Sequence, residues 1–421
     1  MNFIGYRCSL CGAEYAPADV DYVCPRHGAA GNLEVVLDYA ALRKSTSPAA
    51  VTASSDRSLW RYLPLLPVAD PGFPGTVLRS VGWTPFFRAD RLAADLGLRA
   101  LYIKDDSRNP TASFKDRASA VVVARAREIK APVIAAASTG NAGAALAGLA
   151  AAVQQPAVVL APETAPQAKV AQLLMYGARV LLVRGNYDAA FDLTLQASQA
   201  LGWYCRNTGY NPFTAEGKKT AAFEICEQLS AASRQSAADK WIAPDRIFVS
   251  VGDGNIISGI HKGLKDLLAL GWIEQMPKLM GVQAAGSAAC ARAWQANTET
   301  ITPVRAQTLA DSIAVDLPRD GVRAVRAVRD TGGAYVVVED ADILAAMRDL
   351  ARGQGVFAEP AGAAAYAGLV QAARAGWVRA DETIVVLNTG SGLKDVQSAL
   401  QAAGSAVVIE PTLAAVRSAV Q

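Results

Sequence analysis

The strongest constraint on the fold is an alternation that begins near Leu101, in which short apolar runs are separated by longer helical patterns. The runs are ALYIKDD, PVIAAAS, PAVVLAP, ARVLLVRG, RIFVSVG, KLMGVQAA, AYVVVED and ETIVVLNTG, and segments such as APQAKVAQLLMYG and ISGIHKGLKDLLALG lie between them. Strands that are apolar throughout need cover on both faces, so the pattern predicts α/β architecture with parallel sheets sandwiched by helices. Four β-α steps between about 130 and 205 could close a small sheet of their own. The expected division is therefore a large domain from 46–129 and 206–421, a smaller inserted α/β domain at 130–205, and a distinct segment at 1–45. That first segment holds three of the six cysteines and one of the two histidines.

Composition narrows the class further. A net charge of +3 with no long run of either sign gives no footprint for nucleic acid or an anionic membrane. The most apolar stretch, Gly143 to Ala161, is broken by Gln154, Gln155 and Pro156, so it predicts a buried helix followed by a strand, with no membrane span. The opening MNFIGYRCSLC lacks the basic and apolar regions of a secretion signal, and six cysteines in 421 residues make no disulfide framework. A reducing, cytoplasmic setting is the expectation. The Pro-, Ser- and Gly-rich stretch from Thr46 to Pro85, with WRYLPLLP at its centre, is expected to wrap a domain surface.

Four segments carry chemistry. NPTASFKDR, Asn109 to Arg117, delivers Lys115 near a predicted helix start, with Asp116 and Arg117 beside it. An amine held there can lose its proton and attack a carbonyl, although the segment alone also suits a capped helix with a solvated lysine. STGNAG, Ser138 to Gly143, follows a strand and opens a helix, so its hydroxyls and helix-terminal amides form an anion cradle. VGDGNIISG, Val251 to Gly259, offers glycines through which backbone N–H groups can close on a phosphate. It is neither a Walker A loop nor the G-x-G-x-x-G fingerprint, because Ile257 stands at the last glycine position. Asp253 within it should turn its carboxylate away from a bound dianion. LNTGSGLKD, Leu387 to Asp395, brings Thr389, whose hydroxyl could meet a heteroaromatic nitrogen without carrying charge. Each of the last three could also be an ordinary strand-to-helix turn.

In this order, the four segments resemble the fold-type II pyridoxal-phosphate enzymes with tryptophan synthase β-like architecture, and most closely the threonine synthase family, from Gly82 onward. The resemblance implies pyridoxal 5'-phosphate as cofactor and Lys115 as the lysine that holds it and acts as general base. It further implies cofactor contacts from Asn141, Gly252, Gly254, Asn255, Ile256 and Thr389, with Ser138, Thr139, Gly140 and Lys218 on the substrate side. EGKKT (Glu216 to Thr220) and EPAGAA (Glu359 to Ala364) are further matches.

The activity so implied is a lyase reaction in amino-acid biosynthesis, in which O-phospho-L-homoserine loses its γ-phosphate and gains water at Cβ. The alternatives are an ammonia-lyase of the threonine or serine dehydratase type and a β-replacement transferase on O-phosphoserine, similar to cysteate synthase. A fourth reading, a catalytically silent binding protein, is opposed by the intact Lys115. A short chain after Asp395 leaves little room for an appended regulatory module. The expected partner is an amino acid, in the favoured reading a phosphorylated one, and a homodimer is the candidate assembly.

Two departures from the family pattern bear on the substrate. Thr214 stands where the family often carries an arginine that grips the substrate phosphate, and Ser391 replaces a histidine of the C-terminal loop. Lys218, Arg206 and Arg319 are the candidates for the missing charge.

The N-terminal spacing C-x2-C-x12-C-x2-H, at Cys8, Cys11, Cys24 and His27, fits a tetrahedral structural zinc site in a zinc-ribbon-like segment, or a degenerate ribbon with free thiols. His261 is expected on an ordinary polar helix face, and Cys205, Cys226 and Cys290 as core thiols.

Overall fold

The computed structural model describes residues 2–138, 140–165, 167–233 and 239–420. The N-terminal segment is a three-stranded antiparallel sheet of β1 (Phe3–Cys8), β2 (Glu14–Tyr15) and β3 (Leu33–Leu37), in the order β2-β1-β3. Glycine is required at position 5, where a Cβ would lie 2.4 Å from the Tyr15 carbonyl across the ladder.

The chain then enters a larger sheet through β4 (Phe86–Arg88) and β5 (Ala100–Asp105), which pair antiparallel. It leaves to build a separate parallel sheet from β6 (Ile134–Ala137), β7 (Ala157–Pro162), β8 (Arg179–Val183) and β9 (Tyr204–Cys205), ordered β8-β7-β6-β9. Strands β10 (Arg246–Ser250), β11 (Lys278–Ala284), β12 (Tyr335–Val338) and β13 (Thr383–Asn388) complete the large sheet, ordered β12-β11-β10-β13-β5-β4. Its β12-to-β5 strands are parallel, and β10, β11 and β13 are almost wholly buried, as strands covered on both faces must be.

The eight apolar runs all become strands. The antiparallel edge β4 and the two-residue β9 are additions that no long apolar run announces. The stretch from Gly143 to Ala161 is the buried helix Asn141–Ala152 followed by β7, and no described helix is long and apolar enough to cross a membrane. WRYLPLLP packs inward: Trp60, Tyr62 and Leu65 are buried, and Arg61 and the Tyr62 hydroxyl both bond Glu227 on the helix Phe213–Ser233.

That helix packs against the helix Lys115–Glu128. They touch at Gly217, where a Cβ would stand 2.0 Å from the Arg117 carbonyl oxygen. Arg117 is fully buried and bonds Asp106 at 2.5 Å and Glu224 at 2.6 Å, and Lys104 reaches the same glutamate at 2.6 Å. Buried charges survive only when paired this completely, so the cluster locks the start of the Lys115 helix against β5 and the helix behind it. Cys205, Cys226 and Cys290 are buried thiols. His261 differs from expectation: the helix Asn255–Leu270 turns it inward, and burial lowers its pKa to about 4.

Candidate active site

Neighbouring strands β10, β13 and β5 end on the same edge and release three loops side by side. The β5 loop runs through residues 106–114 to Lys115. Its last turn is closed by Asp116, which accepts from the Thr111 amide at 2.7 Å and from the Thr111 hydroxyl. The β13 loop zips onto it: Phe114 N donates to Thr389 O at 2.9 Å and Ser391 N to Ala112 O at 3.1 Å. Lys115 is thus held from both sides at the first position of its helix. It is half-buried, opening on a cleft of about 440 Å³. Burial pushes its amine below the ordinary lysine pKa; nearby Arg206 adds to this, while Glu359 and Asp253 oppose it. An amine poised toward its free-base form is a nucleophile and a proton acceptor.

The β10 loop forms another wall of the cleft. Gly254 adopts φ of +94°, and a Cβ there would fall 2.7 Å from the Asp320 carbonyl oxygen; a Cβ on Gly252 would meet Ile313 Cα at 2.8 Å. Both glycines are therefore dictated by close backbone approach as well as by any ligand. Asn255 and Ile256 open the following helix, so its unsatisfied amides face the cleft. Asp253 turns toward Arg319, accepting its amide at 2.7 Å, yet still lines the cleft; burial raises its pKa to about 6.

From the smaller sheet, Ser138 and Gly140 line the cleft at the end of β6. Ser138 Oγ accepts from Gly143 N at 2.9 Å and Gly140 N at 3.2 Å, so it caps the helix while its own proton stays available. Thr139 lies outside the described residues. Asn141 lines the cleft and donates to Glu359 Oε1 at 2.8 Å. Glu359, in EPAGAA, is the site residue whose role the sequence left open. Burial raises its pKa, and Lys115, Lys394 and Lys169 act against that rise. Its proximity to Lys115 depends on a fold contact across 244 residues; the only local signal was the glutamate before a Pro-initiated helix.

Lys115, Lys218 and Arg319 line the cleft together with Asp188, Asp253, Asp311 and Asp316. Arg319 is already engaged, 3.0 Å from Asp188 and stacked on Phe191. Arg206 is buried, its Nε and Nη1 satisfied by Ser119 and Thr208 while Nη2 has no partner among the described residues. Lys218 is buried, donates to Asn255 Oδ1 at 2.6 Å, and has its pKa pushed well down by burial, then by Lys115 and Arg206. Thr214, one helical turn before Lys218, reaches that same oxygen at 3.3 Å. Of EGKKT only Lys218 lines the cleft; Glu216 and Lys219 are buried in an ion cluster with Asp266.

These residues fit a phosphorylated carbonyl cofactor. Among the described residues, the buried Ser250 hydroxyl at the base of the same loop has no hydrogen-bond partner, and the buried Lys218 and Arg206 side chains have no carboxylate partner. With the Lys115 amine and a glycine-walled helix N-terminus, they together call for an anion with a carbonyl. Thr389, buried at the cleft wall, offers a neutral hydroxyl.

A second centre lies in the N-terminal sheet. The donor atoms of Cys8, Cys11, Cys24 and His27 all lie within 4.8 Å of one another, with His27 Nδ1 3.5 Å from Cys24 Sγ and 3.8 Å from Cys8 Sγ. Three sulfurs and one imidazole nitrogen at such spacing suit a tetrahedral zinc ion. None of the four lines the Lys115 cleft, and Cys24 Sγ is held 3.1 Å from the Tyr15 hydroxyl, so the fit is to a structural site.

The family pattern described as pyridoxal-phosphate dependent enzyme matches residues 77–390. A threonine synthase of Methanocaldococcus jannaschii is 37% identical over 406 residues, covering 96% of each chain. One from Methanosarcina acetivorans is 38% identical over 416 residues, covering 98% of each. Among solved structures, threonine deaminase isoform 2 of Solanum lycopersicum superposes with a TM-score of 0.64 at 23% identity, over 84% of this chain and 90% of that one, a likeness of fold alone. With the four loops converging on one cleft, these matches show that the chain belongs to the pyridoxal-phosphate dependent enzymes, within the threonine synthase family.

Proposed function

We propose that this protein is a threonine synthase, converting O-phospho-L-homoserine and water to L-threonine and phosphate. The observation that carries this reading is the pairing, in one cleft, of the Lys115 amine with a second amine, the buried Lys218, that has no carboxylate partner among the described residues.

Pyridoxal phosphate, when bound, supplies a carbonyl for an amine and an electron sink for the bond electrons released at substrate Cα. Lys115 Nζ would hold the cofactor and, as a free amine, would accept the substrate Cα proton. Gly252, Gly254, Asn255 and Ile256 would hold the cofactor phosphate, and Asn141 and Thr389 would orient its ring. Thr389 carries no charge, so it would meet a ring nitrogen without protonating it. Ser138, Thr139 and Gly140 receive the substrate carboxylate at the helix N-terminus.

Lys218 holds the substrate phosphate. It takes the part of the arginine that the family pattern places at Thr214, because residues 214 and 218 lie one turn apart and address the same Asn255 oxygen. Cys8, Cys11, Cys24 and His27 hold a structural zinc. The wild-type protein should show an absorbance band near ~410 nm that is absent from Lys115→Ala. An unchanged band in that variant contradicts the assignment of Lys115.

A further inference from the structure

The zinc-ribbon sheet and the phosphate loop meet at one buried carboxylate. Directly after the last cluster residue, the chain folds back so that Cys24 N donates to Gly31 O at 2.9 Å. A Cβ on Gly31 would stand 2.7 Å from Cys24 Cβ and 2.8 Å from His27 Cβ, so the Cys24–His27 knuckle and Gly31 are in close contact. The next residue, Asn32, is buried and bridges to Val23. Its Nδ2 leaves the ribbon, donating to Arg319 O at 2.9 Å and Asp320 Oδ1 at 3.2 Å.

Asp320 is fully buried and grips the phosphate loop at three points. Its amide donates to Asp253 O at 2.9 Å, its carbonyl abuts Gly254, and its Oδ2 accepts from Asn255 Nδ2 at 2.7 Å. Arg323 neutralises it from behind at 2.6 and 2.7 Å. A carboxylate only accepts, so it fixes the Asn255 amide with Nδ2 inward and Oδ1 toward Lys218. The chain of contacts is continuous from knuckle to loop: Cys24–His27, Gly31, Asn32, Asp320, Asn255, Lys218.

We propose that Asn32 is a positioning residue for the phosphate loop, through which metal loading of the ribbon sets the affinity for the phosphate moiety of the cofactor. The metal fixes the knuckle, the knuckle fixes Asn32, and Asn32 completes the donor set that holds Asp320 in place. Loss of the metal frees the knuckle and withdraws that donor. By linkage, cofactor binding must in turn retain the metal by the same factor.

This rests on the cofactor reading above, and the test separates the two. The full chain, freed of cofactor, is titrated with pyridoxal phosphate and with pyridoxal, which lacks the phosphate. It is measured zinc-loaded and zinc-stripped, as wild type, Asn32→Ala and Asn32→Ser. Either stripping zinc or substituting Asn32 should weaken pyridoxal phosphate roughly tenfold and pyridoxal by less than about twofold. Stripping zinc from either variant should add nothing further. The ratio of the two ligands is insensitive to a partly unfolded sample, and the milder serine variant covers a folding failure of the alanine one. Equal weakening of both ligands, or an undiminished zinc effect in the variants, overturns the relay alone. Absence of pyridoxal phosphate binding by zinc-loaded wild type overturns the cofactor reading and the relay with it.

Discussion

Lys218 and Thr214 show how a single helical turn can redistribute the work of a site. An amine at 218 and a hydroxyl at 214 share one acceptor, Asn255 Oδ1, so the fifth residue of that stretch addresses the same point as the first. Lys218→Met should raise KM for a phosphorylated substrate by at least about tenfold, since a charged hydrogen bond contributes ~1.5–3 kcal/mol. Steady-state kinetics on O-phosphohomoserine checks this, and an unchanged KM shifts the role to Arg206. At this scale the sequence was uneven. Lys115, the glycines and Thr389 lie in contiguous motifs whose chemistry is local. Glu359 and Arg206 acquire their meaning only from partners far along the chain, Asn141 in one case and Ser119 in the other. No spacing rule brings those together.

Elements inherit their precision from close approach and complete pairing of buried charge. The helices bearing Lys115 and Lys218 meet where Gly217 lies against the Arg117 backbone, so Gly217→Ala should separate them and destabilise the fold by several kcal/mol, about that of a severe overpacking substitution. Thermal unfolding reads this directly; a Tm within a degree of wild type would contradict the account of that crossing.

His261 provides a pH signature on the helix Asn255–Leu270. Its folded pKa of about 4 lies below the ordinary value, so an unfolded chain protonates first as pH falls. The stability this neutral histidine contributes is present above about pH 6.5 and lost as pH falls toward 4. Relative to His261→Gln, the wild type should lose on the order of 2 kcal/mol between pH 7 and pH 5, measured by denaturant unfolding. Parallel pH dependence in the two proteins would contradict it. Long apolar strands were legible because both faces are covered. β9, with two residues, and the edge strand β4 were not, because short pairings are decided by neighbours in space. His261 was misread as surface because the ribbon side of its helix is covered by the N-terminal sheet, as the Glu34–Lys265 contact at 3.1 Å shows.

Across the whole molecule, three sheets contribute to one cleft, and the smallest does so at a distance. The ribbon's Tyr22 stacks on Tyr210 and its hydroxyl accepts from Cys205 N at 3.1 Å, while Asn32 reaches Asp320 behind the β10 loop. The N-terminal segment therefore fastens both the smaller sheet and the loop of the larger one. Removing its metal should lower Tm of the full chain by several degrees, because metal binding free energy to such a site is folding free energy; an unchanged Tm with less than about half an equivalent of zinc bound contradicts a structural metal. The central claim is the reaction itself. Wild-type protein with pyridoxal phosphate is incubated separately with O-phosphohomoserine, O-phosphoserine and threonine, and phosphate, threonine and 2-oxo acid are measured. Equal amounts of phosphate and threonine from O-phosphohomoserine alone are the predicted result; phosphate released without threonine, or 2-oxo acid formed rapidly from threonine, would contradict it.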